Sequence, residues 1–217
     1  MSASLGIPLL AVIMASAVAA AHAWASGRAA IAALVGLCFL GLSYGLGAAG
    51  VFERAPPLMF GFVLVALALA GTRAGTAAAE RVPLALLVGL QAFRLPLELV
   101  MHGAAEDGLM PVQMSYSGLN FDILSGISAL LIGLGIWRGW LGRRAAIAFN
   151  LLGIALLLNI VSIAVASLPR FHAFGTDPAR INTWVLGVPY VWLPTILVAA
   201  AAHLHLLLSR RLWGRAR

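Results

Sequence analysis

The chain has 217 residues, 62% of them hydrophobic and only 10% charged, with a mean hydropathy of +1.01. That composition excludes an ordinary water-soluble domain and describes a chain whose solvent is mostly lipid. The net charge of +7 comes from fourteen arginines with no lysine, which excludes retinal-type or pyridoxal-type Schiff-base chemistry, since both need a lysine amine.

A spanning helix needs about 20 apolar residues to cross a hydrocarbon core of roughly 30 Å. Seven stretches qualify, at about 5–24, 30–50, 57–76, 82–101, 119–137, 145–168 and 184–208. They predict an all-α polytopic membrane protein, a single domain of seven transmembrane helices over 1–217 with short loops. The third stretch runs only 15 residues from Leu58 to Thr72 before Arg73, and it reaches full length only if Arg73 snorkels to the interface.

With seven spans, Arg28, Arg73, Arg81, Arg138, Arg143, Arg144, Arg210, Arg211, Arg215 and Arg217 share one side. The other side holds Arg54, Arg170 and Arg180 with Glu53, Glu106, Asp107 and Asp177. The positive-inside rule then puts the N-terminus outside and the tail in the cytoplasm. The basic tail reads as an orientation signal touching anionic lipid headgroups, and no nucleic-acid partner is needed to explain it. Ala21-His22-Ala23 has the small-residue pattern of a signal-peptidase site. No basic region precedes it, and cleavage there would turn the arginine-rich side outward, so the first segment is read as a permanent span.

In the second segment, Cys38 is the single cysteine, so no intramolecular disulfide framework exists. Gly45-Leu-Gly47-Ala-Ala-Gly50 matches a dinucleotide-binding pattern but lacks the strand and helix start that give it meaning. The spacing Gly41-x-x-x-Gly45 is read as close helix packing.

The fourth segment carries the chemistry. Gln91, Arg94, Glu98 and His102 recur at three- and four-residue intervals, which lines them along one helix face. Charge at bilayer depth costs several kcal/mol unless paired or hydrated, so Arg94 and Glu98, one turn apart, mark a functional site. Pro96 between them weakens the local backbone ladder. The long connection 103–118 leads into a fifth segment that begins Asn120-Phe-Asp122. Those two polar residues suit an N-cap and a first-turn acid, a ligand site level with Glu98, or both.

Asn159 in the sixth segment is a further polar candidate, although an asparagine joining two helices is the commoner case. In the seventh, Pro189-Tyr190-Val-Trp192-Leu-Pro194 predicts a kinked or interrupted helix of the kind that lines transporter sites. Tyr190 and Trp192 also suit an outer aromatic belt. His203 and His205 lie roughly 200° apart on a helix, so one face cannot present both to a metal. A haem between His22 and His203, or between His102 and His172, is formally open. These positions fall at segment ends, so they are read as interfacial histidines and no cofactor or metal is assigned.

The runs Phe93-Arg94-Leu-Pro96-Leu-Glu98, Pro111-Val-Gln-Met114, Gly118-Leu-Asn120-Phe-Asp122, Asn159-Ile-Val-Ser162 and Trp192-Leu-Pro194 resemble a family of small, uncharacterised bacterial polytopic integral membrane proteins. Their pattern is an Arg-x-x-x-Glu helix, a Pro-x-x-Met loop, an Asn-Phe-Asp helix start and a Trp-Leu-Pro helix. The resemblance covers about residues 90–210 and implies a shared pocket and a location in the bacterial inner membrane, with no activity attached. Ser117 and Leu119 stand where that family commonly has Glu and Arg, which removes a charge network from this loop.

The expected site is a pocket in the outer half of the membrane, with Gln91, Arg94, Glu98, His102, Asn120, Asp122, Asn159 and Tyr190 as candidates. The leading expectation is binding or transport of a small molecule or lipid. Arg94 would hold a small anionic ligand through its donor fork, with Glu98 as counter-ion or proton acceptor. An alternative is a structural or partner subunit of a membrane complex, with Arg94–Glu98 as a buried register pair. An intramembrane enzyme using Glu98, His102 or Asp122 as acid and base needs a nucleophile, and no spacing singles out Ser115, Ser117 or Ser125.

Overall fold

The computed structural model describes residues 2–214. Arg215 and Arg217, counted above in the basic tail, lie outside the described residues. Within them every regular element is helical: α1 (Ala3–Ser26), α2 (Ala29–Ala48), α3 (Pro56–Gly71), α4 (Arg73–Arg81), α5 (Leu84–Glu106), α6 (Ile123–Trp137), α7 (Arg143–Ala166) and α8 (Leu193–Trp213), with isolated helical turns in the connections, of which 107–122 and 167–192 are long. Five of these, α1, α2, α5, α7 and α8, are each long and apolar enough to cross a membrane. The outward faces of α2, α3, α6 and α7 carry exposed Leu34, Leu37, Leu64, Leu131 and Leu158, a surface compatible with lipid and not with water. The chain is membrane-embedded.

Three segments depart from the expected spans. The third is not continuous over 57–76. It breaks at Thr72, whose extended backbone caps α4, with Oγ1 accepting from Gly75 N at 3.3 Å, and α4 leaves α3 at 71°. Gly75 is required there, because a Cβ would lie 2.1 Å from the Ala70 carbonyl oxygen. Arg73 therefore opens an amphipathic helix and does not extend a span. The fifth segment is helical only from Ile123, and its 15 residues rise about 22 Å. Residues 184–192 of the seventh form turns, and helix begins at Leu193 with one π turn through Val198.

α8 is the central helix, burying Leu197, Leu204, Leu207 and Leu208 against α1, α3, α5 and α7. α2 lies at the rim against α1. Its Gly41 and Gly45 face open space, contrary to the expected close packing. The tight glycine is Gly47, where a Cβ would meet Val191 at 2.9 Å. The basic end is tied together by Arg81 donating to the Ala25 carbonyl (2.6 Å), Arg143 to that of Leu212, Arg210 to Thr76 and Arg211 to the Glu80 carbonyl. Cations so placed on helix C-terminal carbonyls are favourable.

α6 approaches α5 through Gly126, where a Cβ would sit 2.3 Å from the Leu95 nitrogen. Gly126→Ala is expected to destabilise the protein by about 1–3 kcal/mol through overpacking. Gly61→Ala, at a helical site facing open space, is expected to be neutral or slightly stabilising. Thermal unfolding in detergent measures both, and equal melting of the two variants would count against the α5–α6 contact.

Candidate functional site

Arg94 lies midway along α5, about 15 Å from its start. Pro96 cannot donate a backbone hydrogen bond and its ring crowds the Ala92 carbonyl. The turn before Arg94, Leu90–Phe93, is accordingly a tighter 3-10 turn. The side chain is 1% exposed. Its Nε donates to Asp122 Oδ2 at 2.6 Å, and its Nη2 pairs with Asp122 Oδ1 in the same fork.

Its Nη1 donates to His205 Nε2 (3.0 Å) and, at 3.4 Å, to the Gly153 carbonyl. A guanidinium only donates, so His205 Nε2 must be the acceptor and Nδ1 must carry the proton. That N–H points at Asn150 Oδ1 (2.9 Å), whose Nδ2 donates to Ser209 Oγ (2.8 Å), which donates back to the His205 carbonyl (2.8 Å). One tautomer satisfies the whole chain, and four helices, α5 to α8, are joined by it. Gly153 leaves the necessary room: a Cβ there would be 2.4 Å from His205 Cε1.

The expected Arg94–Glu98 pair does not form. Glu98 Oε2 instead accepts from Asn120 Nδ2 at 2.8 Å, and Oε1 has no hydrogen-bond partner among the described residues. Asn120 Nδ2 also donates to the Met114 carbonyl (2.9 Å), while its Oδ1 receives Asp122 N–H (2.9 Å). Asp122 occupies the N-cap position of α6 without capping it, because its carboxylate is turned to Arg94. Arg94, Glu98, Asn120 and Asp122 thus form one buried cluster.

The other four candidates stand apart. Gln91 donates to the Ala201 carbonyl (3.0 Å) and joins α5 to α8. Asn159 donates to the Leu119 carbonyl (2.9 Å), satisfying irregular backbone ahead of α6. Tyr190 packs on Trp184, ring centres 4.9 Å apart. His102 stacks on Tyr116 at 4.3 Å, with Nδ1 3.0 Å from Ser115 Oγ and Nε2 3.5 Å from Glu106. This is a Ser-His-Glu sequence of contacts, but Ser115 is fully buried and its Oγ also receives the Ser117 N–H. The cluster closes the 103–118 connection and lines neither of the two cavities described below. His203 and His205, expected as interfacial histidines, are buried inside the bundle on α8, and His22 bonds directly to His203 (2.9 Å).

A cavity of about 100 Å³ lies beside the cluster. α3 (Met59, Phe60, Val63) and α7 (Leu157, Val161, Val165) flank it without packing closely on one another. Phe93, Leu97 and Met101 of α5 and Leu197 of α8 form its back wall, and Arg94, Glu98, Asp122 and Asn182 are the polar groups that line it. Asn182 was not anticipated. Its Nδ2 donates to the Ala164 carbonyl (3.0 Å) and its Oδ1 is buried without a partner. His205 was also missed as a partner of Arg94, as were Asn150 and Ser209 behind it in the same chain of bonds, although polar residues within apolar segments were their available signal. No protein-family model, curated protein or solved structure matches the chain.

Asp122→Ala would leave a guanidinium buried without its counter-ion, so it is expected to cost about 3–5 kcal/mol. The double variant Arg94→Met with Asp122→Leu is expected to recover most of that loss. Unfolding in detergent reads both, and a double variant no better than the single one would show that the pair is not the coupled unit.

Proposed function

We propose that this protein binds a small amphiphile, an apolar body with a protonated amine at one end, in the cleft beside Glu98. The carrying observation is an imbalance of partners. Arg94 is neutralised by Asp122 and spends four N–H groups on the protein. Glu98 keeps one free carboxyl oxygen and Asn182 Oδ1 is an unmatched acceptor on the same cavity. An ammonium supplies a positive charge and several donors to such a wall, and Phe60 and Phe93 can add cation–π attraction. The small anionic ligand first expected at Arg94 would have to displace Asp122, so Arg94 serves the fold and Glu98 serves the ligand.

The arrangement proposed in the membrane is seven spans in the bacterial inner membrane, with the N-terminus outside. In that arrangement α3 continues into the α4 elbow at the cytoplasmic surface, and the short α6 is completed by the folded 113–122 segment. Support comes from the arginines collected at one end of the bundle and from the resemblance to small bacterial polytopic proteins. The mouth of the cleft between α3 and α7 is apolar, which suits a ligand arriving from the bilayer. Transport of the same ligand is compatible with this reading.

Titration of the detergent-solubilised protein with dodecylamine, followed by native mass spectrometry, tests it. Glu98→Gln keeps the Asn120 contact but removes the charge, and it is expected to weaken binding at least ten-fold, in line with about 1.5–3 kcal/mol for a hydrogen bond to a charged group. Dodecanol is expected to bind more weakly than dodecylamine by a similar factor. Equal binding of the two probes, or an unaffected Glu98→Gln, would overturn the reading.

A further inference from the structure

On the opposite face of α8 lies a second cavity, of about 200 Å³, between α1, α2, α3 and α8. Leu197 and Ala201 line the first cavity, whereas Ala200 and His203 line this one. Its walls are apolar, among them Val18, Val35, Phe39 and Leu69, and its polar groups are His22, His203, Ser26, Arg28 and Thr72. None of these takes part in the Glu98 site.

Most of them are already spent. Ser26 donates to the His22 carbonyl and Thr72 to that of Leu69, both at 2.7 Å. His203 Nδ1 faces the Ala66 carbonyl at 2.7 Å, and a carbonyl only accepts, so Nδ1 carries the proton and Nε2 is a lone pair. His22 Nε2, 2.9 Å away, must then donate to it. The remaining nitrogen, His22 Nδ1, is an acceptor with no partner among the described residues. Protonation of His22 at Nδ1 leaves the bond to His203 intact, whereas protonation of His203 at Nε2 would set two donors against each other. The guanidinium of Arg28 likewise has no partner among the described residues.

We propose that this cavity binds a long-chain carboxylic acid. The acid proton passes to His22 Nδ1, leaving a carboxylate beside an imidazolium and the Arg28 guanidinium, and the alkyl chain lies among the apolar side chains of α1, α2 and α3. A base that takes a proton without disturbing its neighbour, next to an unspent cation, is matched by an acid head and not by an amine. α1 and α2 pack against each other along this side, and the cavity's modest volume of about 200 Å³ favours a single-chain acid over a diacyl phospholipid. The inference does not rest on the Glu98 reading.

The test is native mass spectrometry of the full chain in detergent, titrated with palmitate, with hexadecanol and dipalmitoyl phosphatidylglycerol as comparison arms. One saturable palmitate per protein is expected, bound at least ten-fold more tightly than hexadecanol. Arg28→Gln, an exposed change, and His22→Leu are each expected to weaken it ten-fold or more. With nitrogen-15-labelled histidine, the His22 Nδ1 resonance is expected to move to the protonated range on binding. Hexadecanol or the phospholipid binding as well as palmitate, absence of saturable palmitate, or an unaffected Arg28→Gln would overturn the proposal. Dodecylamine binding measured on the same preparations separates the two sites: loss of one probe with the other retained overturns only the corresponding reading.

Discussion

A guanidinium at mid-helix in an apolar bundle constrains the rest of this fold. Leaving it unpaired costs several kcal/mol, so a carboxylate must reach the same depth, and Asp122 does. For Asp122 to arrive there, the chain ahead of α6 has to give up helical structure over 113–122 and α6 has to start late. The 15 residues of α6 are therefore a consequence of the Arg94 pair and not a defect in the span. The irregular backbone so created needs its own partners, and Asn120 and Asn159 provide them on the Met114 and Leu119 carbonyls. Glycines complete the arrangement by omitting side chains where Arg94 and its partners must come close, at Gly153 against His205 and at Gly126 against Leu95.

Which helices are long and apolar was legible in the sequence, because hydropathy over about 20 residues reports a physical requirement of the bilayer. Arg94, Glu98, Asn120 and Asp122 also stand out in the sequence as polar residues in or beside apolar runs, but Gln91, His102, Asn159 and Tyr190, expected with them, lie apart from the cluster. Who pairs with whom was not legible. The i,i+4 spacing of Arg94 and Glu98 suggested a pair within one helix, but a forked carboxylate from α6 fits the guanidinium plane better than a neighbour on its own helix. The partners of the α8 histidines were hidden for a related reason. His203 and His205 look interfacial by their nearness to the arginine-rich tail, yet each finds a buried acceptor or donor on another helix, the Ala66 carbonyl and the Arg94 guanidinium. The end of the apolar run at Thr72, before Arg73, was legible, but the sharp bend there was not, and its signal is the capping hydroxyl followed by Gly75.

The central network separates two jobs that a charge pair in a membrane could have combined. With Arg94 closed by Asp122 and by the His205–Asn150–Ser209 chain, its charge is committed to holding four helices together. Glu98, one turn further along, is hydrogen-bonded among the described residues to Asn120 alone and lines the cavity. A satisfied framework beside a few unsatisfied acceptors, here a Glu98 oxygen and Asn182 Oδ1, is the condition under which a site holds its shape before a ligand arrives.

The same reasoning extends across α8. Successive residues Ala200 and Ala201 face opposite cavities, and on α3 only one helical turn separates Val63, on the first, from Ala66, on the second. The partition is thin, and the π turn Leu193–Val198 runs along it. The unspent groups on its two faces differ in kind: carboxyl and amide oxygens on one, an imidazole lone pair and a guanidinium on the other. Ligands of the two proposed kinds, one with a basic and one with an acidic head, would therefore be sorted to opposite faces of one helix without competing for the same groups.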